Sequence, residues 1–144
     1  MAGTWTALAA SDGFKGVAYR ADPTGKPRGG LVVAQEIFGV NAHIRSVCDG
    51  FATDGYLAIA PALFERYERG VDLGYTPDEV ARGREIRGHV SVDPALADIA
   101  AARAVAAEDG KVGVIGYCWG GLLAWLAAAR VPGDSGVTLS GGWP

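Results

Sequence analysis

The amino-acid sequence predicts an α/β fold in which a mostly parallel sheet carries helices on both faces. From residue 31 onward, short apolar runs alternate with stretches of helical periodicity, an order typical of parallel strands joined by crossover helices. The apolar runs are continuous rather than alternating, as expected for strands covered on both faces. With 144 residues, 49% of them apolar, the chain is long enough for one domain with a hydrophobic core. We therefore expect a single α/β domain over residues 1–144.

The first third of the chain contains one weak and one strong strand signal. Residues 1–30 are weakly patterned, and the short run 16–19 is a strand candidate before a turn at residues 22–25. The apolar run 31–34 predicts a buried strand. Residues 35–41 then form a loop that leads into the first helix.

The first helix is predicted over residues 42–54, because apolar side chains recur there at helical spacing. This stripe consists of Ile44, Val47, Cys48 and Phe51. Asn41 is expected to cap the first turn of the helix, and residues 54–55 (Asp-Gly) to end it. Residues 56–60 form the next buried strand, which Pro61 closes.

Two further helices are expected before the third buried strand. Thr76 suits the N-cap of the first, with Pro77 at N1 and Glu79 at N3. The second begins at residues 93–94 (Asp-Pro) and ends at residues 109–110 (Asp-Gly). Its apolar stripe consists of Leu96, Ile99, Ala100 and Val105.

The last part of the chain is predicted to form a strand over 111–116, a helix over 120–130 and a strand over 137–140. In parallel sheets of this type, ligands bind beyond the carboxyl ends of the strands. The loops 35–41 and 116–121 both follow strands, so they are where we expect the chemistry.

Cys118 lies in a Gly-x-Cys-x-Gly pattern between an apolar strand and a helix. This is the spacing of the nucleophile turn Gly-x-Ser-x-Gly, with cysteine in place of serine. Small residues at positions 116 and 120 let strand and helix approach without Cβ clashes, and the positive end of the helix dipole favours a thiolate. The amide of Trp119 then points where an oxyanion would form. We interpret Cys118 as a nucleophile; the alternative is a small buried hydrophobe in a glycine-rich turn.

Composition and charge argue against several classes of function. The net charge is −3 and no basic cluster is present, which disfavours nucleic acid or an anionic membrane as the partner. The longest apolar run, 122–129, is far shorter than the roughly 20 residues of a membrane span, and no signal peptide is visible. Cys48 and Cys118 lie in unlike contexts, so we expect a reducing, cytoplasmic setting.

The chain resembles the dienelactone hydrolase (carboxymethylenebutenolidase) family of the α/β-hydrolase superfamily. Three segments within about residues 10–130 carry the resemblance. They are 35–41 (Gln-Glu-Ile-Phe-Gly-Val-Asn), 55–61 (Gly-Tyr-Leu-Ala-Ile-Ala-Pro) and 113–121 (Gly-Val-Ile-Gly-Tyr-Cys-Trp-Gly-Gly). The resemblance implies cleavage of a small carboxylic ester or enol-lactone through a thiol-ester intermediate, without a metal or organic cofactor.

The resemblance also implies roles for individual residues. Glu36 is the carboxylate expected to contact the resting thiol of Cys118 and to help deprotonate it; the alternative is an exposed loop glutamate. The amides of Ile37 and Trp119 are the expected oxyanion donors.

An arginine that binds a substrate carboxylate is implied in the helix 76–88. Arg82 is the best match, with Arg84 close behind, but Ile86 stands where the family has a companion tyrosine. The alternative is a solvated, charged helix face.

A thiol nucleophile of this kind works with a histidine base that an aspartate orients, and both follow the nucleophile in this fold. After Cys118 the sequence contains one acid, Asp134, and no histidine, while His43 and His89 lie upstream. We interpret His43 as a cap or packing residue and His89 as exposed. The chain is therefore expected to lack the last strands and helices of the domain, and its turnover is expected to be reduced.

Two physical consequences and two alternatives follow. Strand 137–140 is expected to be an unpaired sheet edge, and helix 120–130 to lack part of its apolar cover, which predicts self-association or marginal stability. That apolar face consists of Leu122, Leu123, Trp125 and Leu126. The main alternative to an enzyme is a non-catalytic remnant that serves as a binding or assembly module. A thiol redox protein ranks last, because Cys48 is interpreted as core and not as a resolving cysteine.

Overall fold

The computed structural model describes residues 2–107, 110–130 and 135–140. These residues form a six-stranded mixed sheet in the order β1-β2-β4-β3-β5-β6. The strands are β1 (Thr4–Ala9), β2 (Lys15–Ala21), β3 (Gly30–Ala34), β4 (Leu57–Pro61), β5 (Val112–Tyr117) and β6 (Ser135–Ser140). The helices are α1 (Ala42–Thr53), α2 (Pro77–Gly88), α3 (Val92–Ala106) and α4 (Trp119–Arg130).

The sheet is parallel from β4 through β3 and β5 to β6, and antiparallel where β1 and β2 join it. The predicted α/β fold with a mostly parallel sheet is thus confirmed. β1 was not predicted, because most of its residues are exposed and only Leu8 is buried. Such a strand lacks the apolar run that marks the central strands of a sheet.

Two hydrophobic clusters cover the two faces of the sheet. Val33, Ala58 and Ala60 pack with Ile44 and Cys48 of α1 on one face. On the other face, the alternate strand residues pack against α3 and α4. This second cluster includes Val32, Ala34, Ile59, Ile99, Ala102, Leu123 and Ala127. The period-two alternation of the strands therefore places helices on both faces, as predicted.

The predicted helix starts are confirmed for α1 and α2 and corrected for α3. The Asn41 side chain accepts a hydrogen bond from the Ile44 amide, and the Thr76 side chain accepts one from the Glu79 amide. α3 begins earlier than predicted, with Ser91 at the N-cap. Pro94 then lies within the first turn of α3, where its missing N–H breaks no intrahelical hydrogen bond.

Smaller differences concern where elements end. Pro61 belongs to β4 rather than closing it, and α4 already begins at Trp119. α3 ends at Ala106; the predicted end at Asp109 lies outside the described residues. Within the described ranges, no helix has the length and apolar content that crossing a membrane requires.

Candidate active site

Cys118 occupies a sharp turn between β5 and α4. Among the described residues it is the one non-glycine residue with a positive φ, at 57°. A side chain in this left-handed region strains the backbone by about 1–3 kcal/mol. The thiol is exposed, and α4 begins at the next residue. The predicted turn is confirmed, and it holds the thiol at the positive end of a helix dipole.

The two glycines of the turn permit backbone contacts that no side chain would allow. A Cβ atom at Gly116 would lie 1.9 Å from the carbonyl oxygen of Gly120, and one at Gly120 would lie 2.3 Å from that of Ala34. Both distances are far below van der Waals contact. β3, β5 and the first turn of α4 are therefore packed backbone to backbone around Cys118.

The loop 35–41 lies at the same sheet edge as the cysteine turn. Ala34 at the end of β3 pairs in register with Gly116 of β5, and Gly120 also approaches the Gln35 carbonyl oxygen closely. The parallel register thus brings together the two loops that the sequence indicated as the place of chemistry.

Glu36 is half-buried, and its carboxylate accepts a hydrogen bond of 3.4 Å from the Tyr75 hydroxyl. Within the described residues no hydrogen bond joins Glu36 to the Cys118 thiol, so their expected contact at rest stays a prediction. Burial, and after it the charge of Glu36, raises the pKa of Tyr75. The pKa of Tyr117 is also raised, by burial first and then by the charges of Cys48 and Glu36.

Sequence reasoning missed Tyr75 as a neighbour of Glu36. The residue comes from the connection between β4 and α2, and its ring packs edge-on against Phe38 at 4.6 Å between centroids. The Asn41 side chain also donates to its hydroxyl at 3.3 Å. No local pattern predicts such a long-range contact; a tyrosine just before the Thr76 cap was the one available signal.

The two predicted oxyanion donors come from the loop after β3 and from the start of α4. Ile37 is buried, and among the hydrogen bonds of the described residues none uses its amide. Trp119 is the first residue of α4, and first-turn amides have no intrahelical acceptor. Neither amide has a backbone acceptor assigned among the described residues, and their role as oxyanion donors stays a prediction.

Arg82 lies on α2 and is engaged by two carboxylates. Its guanidinium donates to Glu85 at 2.7 Å and forms an ion pair with Glu68, and the hydrogen bond that Arg82 donates to Glu68 raises the pKa of Arg82. α2 nevertheless borders the site, because a Cβ at the next residue, Gly83, would lie 2.3 Å from the Ile37 carbonyl oxygen. A substrate carboxylate would have to compete with Glu68 and Glu85.

Within the described residues, no hydrogen bond joins the remaining titratable candidates to the Cys118 thiol. The exposed His43 ring meets the Tyr117 ring edge-on at 5.9 Å, and the exposed His89 stacks on Tyr67 at 4.3 Å. Cys48 is buried, and burial raises the pKa of its thiol to about 12, which agrees with its interpretation as core. Asp134 lies outside the described residues. In the described part of the chain, no group of three or more His, Cys, Asp or Glu residues is placed to hold a metal ion.

The sheet with helices on both faces and the strained turn at a strand–helix junction define an α/β-hydrolase-type protein. A sequence profile described as the dienelactone hydrolase family matches residues 17–140. The chain belongs to the dienelactone hydrolase family.

Individual relatives agree with this assignment. The chain is 36% identical over 136 residues to the carboxymethylenebutenolidase of Pseudomonas putida. The matched region covers 90% of this chain and 57% of the relative. It is 41% identical over 104 residues to a Synechocystis sp. protein with a provisional assignment as a carboxymethylenebutenolidase, covering 69% of this chain and 42% of the relative. The chain thus spans about half the length of these curated relatives.

A solved structure shows the same fold. The crystal structure of a provisionally assigned dienelactone hydrolase from Klebsiella pneumoniae subsp. pneumoniae superimposes with a TM-score of 0.73 at 32% sequence identity. The superposition covers 100% of this chain and 64% of that one.

Proposed function

We propose that this chain cleaves a small carboxylic ester or enol-lactone, with Cys118 as the nucleophile. The single observation that supports this most is the exposed Cys118 at φ 57° between β5 and α4, in a member of the dienelactone hydrolase family. A strained, presented thiol at a helix N-terminus is the arrangement that nucleophilic catalysis needs.

In the proposed reaction, Glu36 takes the proton of the Cys118 thiol when substrate arrives. The thiolate sulfur then attacks the ester carbonyl carbon, and the carbonyl π electrons move to oxygen. The amides of Ile37 and Trp119 stabilise that oxyanion. When it collapses, the bond from carbon to the alkoxide or enolate oxygen breaks, the leaving oxygen takes the proton held by Glu36, and a thiol-ester remains. Water attack on the thiol-ester releases the acid and regenerates the thiol.

Hydrolysis of the thiol-ester is the step for which the described residues offer least. Within the described residues, the His43 ring meets Tyr117 and the His89 ring stacks on Tyr67, and no hydrogen bond joins either ring to Cys118. A positioned histidine normally activates the attacking water. We therefore expect a rapid acylation followed by slow turnover of the acyl-enzyme.

The test compares ester hydrolysis by the wild type with that of Cys118→Ser and Cys118→Ala. We expect a burst of product in the wild type, a much smaller rate for the serine variant and none above background for the alanine variant. Equal activity in all three proteins would remove Cys118 from the mechanism. A wild type that is never acylated would instead favour a non-catalytic binding module.

We also propose that Arg82 binds a carboxylate on the substrate. Arg82→Met should raise KM about tenfold or more for an ester that carries a carboxylate, and should leave a neutral ester unaffected. Arg87→Met is the matched control, since Arg87 also lies exposed on α2. An equal effect of Arg82→Met on both esters would contradict carboxylate recognition.

A reducing, cytoplasmic setting suits this proposal. Both cysteines are free, and Cys118 is exposed, so an oxidising compartment would expose the proposed nucleophile to oxidation.

A further inference from the structure

Gln35 is a fully buried polar residue directly before Glu36. Its side chain is 0% exposed, yet both ends of its amide are satisfied. The Oε1 atom accepts a hydrogen bond of 2.8 Å from the Leu63 amide, and the Nε2 atom donates one of 3.0 Å to the Glu36 carbonyl oxygen. A buried amide with two such bonds has a fixed orientation, because breaking either bond leaves an unsatisfied group.

This arrangement restrains the peptide unit between Glu36 and Ile37. In a trans peptide the C=O and N–H bonds point in opposite directions. A hydrogen bond that holds the Glu36 carbonyl toward the Gln35 amide therefore turns the Ile37 N–H away from it. The direction of that N–H is thus set by a side chain that lies outside the site.

The order of the strands indicates where the N–H is turned. β3 has β4 on one side and β5 on the other. Leu63, the partner of Gln35, follows β4, while Cys118 follows β5. The Gln35 side chain lies on the β4 side, so the Ile37 N–H is directed toward the side of Cys118. That amide has no acceptor among the described residues.

We propose that Gln35 is a positioning residue that aims the Ile37 amide at the oxyanion formed on Cys118. This inference rests on the proposed function, because it assigns a second residue to the same acyl transfer. Gln35 itself touches neither the sulfur nor the substrate; it acts through the peptide it holds.

The test compares two reactions of one sulfur atom. Acylation of Cys118 by p-nitrophenyl acetate passes through a tetrahedral oxyanion and expels p-nitrophenolate. Alkylation by iodoacetamide displaces iodide from carbon and forms no oxyanion, but it needs the same accessible thiolate. The ratio of the two rates therefore reports the oxyanion donors separately from thiol ionisation and access.

Gln35→Met removes both hydrogen bonds at similar side-chain length. We expect its acylation rate to fall about tenfold or more and its alkylation rate to stay within about twofold. Asp98→Asn is the matched control, since it alters another buried polar side chain, paired with Arg66, and should leave the ratio unchanged. Should Gln35→Met not fold, Gln35→Asn serves instead, because it is one methylene too short to span both partners.

The outcomes separate this inference from the function beneath it. If the ratio of acylation to alkylation rates is unchanged in the Gln35 variant, even because both rates fall equally, the positioning role is overturned while the wild type still acylates. A wild-type ratio equal to that of free glutathione would show that no oxyanion stabilisation exists, and the proposed function would fail with it. A ratio lowered in the Gln35 variant alone supports the inference.

Discussion

At position 118 the backbone adopts a conformation that cysteine rarely takes. The surrounding chain imposes it: Gly116 and Gly120 bring their backbones within distances that any Cβ would violate. Strain of this kind persists only where neighbouring structure over-determines it, and such residues cluster at functional sites. The exposed, strained Cys118 and the buried Cys48 thus show how environment, and not residue type, separates a candidate nucleophile from a core residue.

Gly116→Ala should destabilise the protein by at least about 2 kcal/mol, because the added methyl meets rigid backbone at 1.9 Å. Gly50→Ala is the matched control. Gly50 lies exposed within α1 with nothing near its Cβ position, so alanine should stabilise by about 0.5–1 kcal/mol there. Chemical denaturation measures both. Similar changes for the two variants would mean that the turn is not closely packed.

Sequence reasoning worked for residues whose signal is local. Asn41, Thr76 and the cysteine turn were predicted because caps and turns depend on a few neighbouring positions. Gln35 and Tyr75 acquire their contacts from Leu63 and Glu36, which only the assembled sheet brings near, so no pattern in the sequence marks them.

Among the elements, ion pairs of Arg66 connect the turn after β4 to α3 and to the β1–β2 turn. Arg66 donates to Asp98 of α3 at 2.9 Å and to Asp12 of the β1–β2 turn at 2.7 Å. Asp98 is 5% exposed, and burial raises its pKa above the ordinary 3.8 while Arg66 opposes the rise. Hydrogen bonds from Arg66 lower the pKa of Asp12 below 3.8.

Arg66→Met should destabilise the protein by about 3 kcal/mol at neutral pH, because it leaves Asp98 buried and unpaired. Without Arg66 the pKa of Asp98 rises further. The variant therefore loses stability as the pH increases through this raised pKa, because Asp98 then ionises without a partner. The stability that the ionised Asp12 contributes above pH 3.8 is lost as well. As the pH falls from 3.8 through the lowered pKa of Asp12, both carboxyls become protonated and the loss should shrink. Denaturation of both proteins at each pH measures the loss. Arg130→Met is the control, because Arg130 and its partner Asp93 are both exposed. A loss independent of pH would contradict this explanation.

The elements were predictable in proportion to their burial. The apolar runs behind β3, β4 and β5 identified them, since a strand covered on both faces must be apolar throughout. β1 could not be predicted, because most residues of this edge strand are exposed and form no apolar run. The start of α3 was misplaced because Asp93 and Pro94 suit the first turn of a helix as well as its cap.

For the whole molecule, the described part of the sheet ends at β6 on one side and at β1 on the other. Beside β6, α4 exposes Leu122 at 42% and Trp125 at 63%. A strand whose outer edge has no partner among the described residues, next to an apolar helix face, favours pairing with the same edge of a second copy. We therefore expect this chain to self-associate through β6 and α4.

Trp125→Ser should weaken that association, which a concentration series in sedimentation velocity measures. Trp5→Ser is the matched control, because Trp5 is also half-exposed but lies on β1 at the opposite edge. A wild type that stays monomeric at every concentration would contradict self-association, as would an equal effect of the two substitutions.

The nucleophilic role of Cys118 is tested most directly by trapping the acyl group. The protein is mixed with an activated aryl ester, quenched in acid, digested and mapped by mass spectrometry, with Cys48 as an internal reference thiol. We expect one acyl group per chain, carried by the peptide that contains Cys118, and none on Cys48. Acylation spread equally over both cysteines, or absent from Cys118, would contradict it.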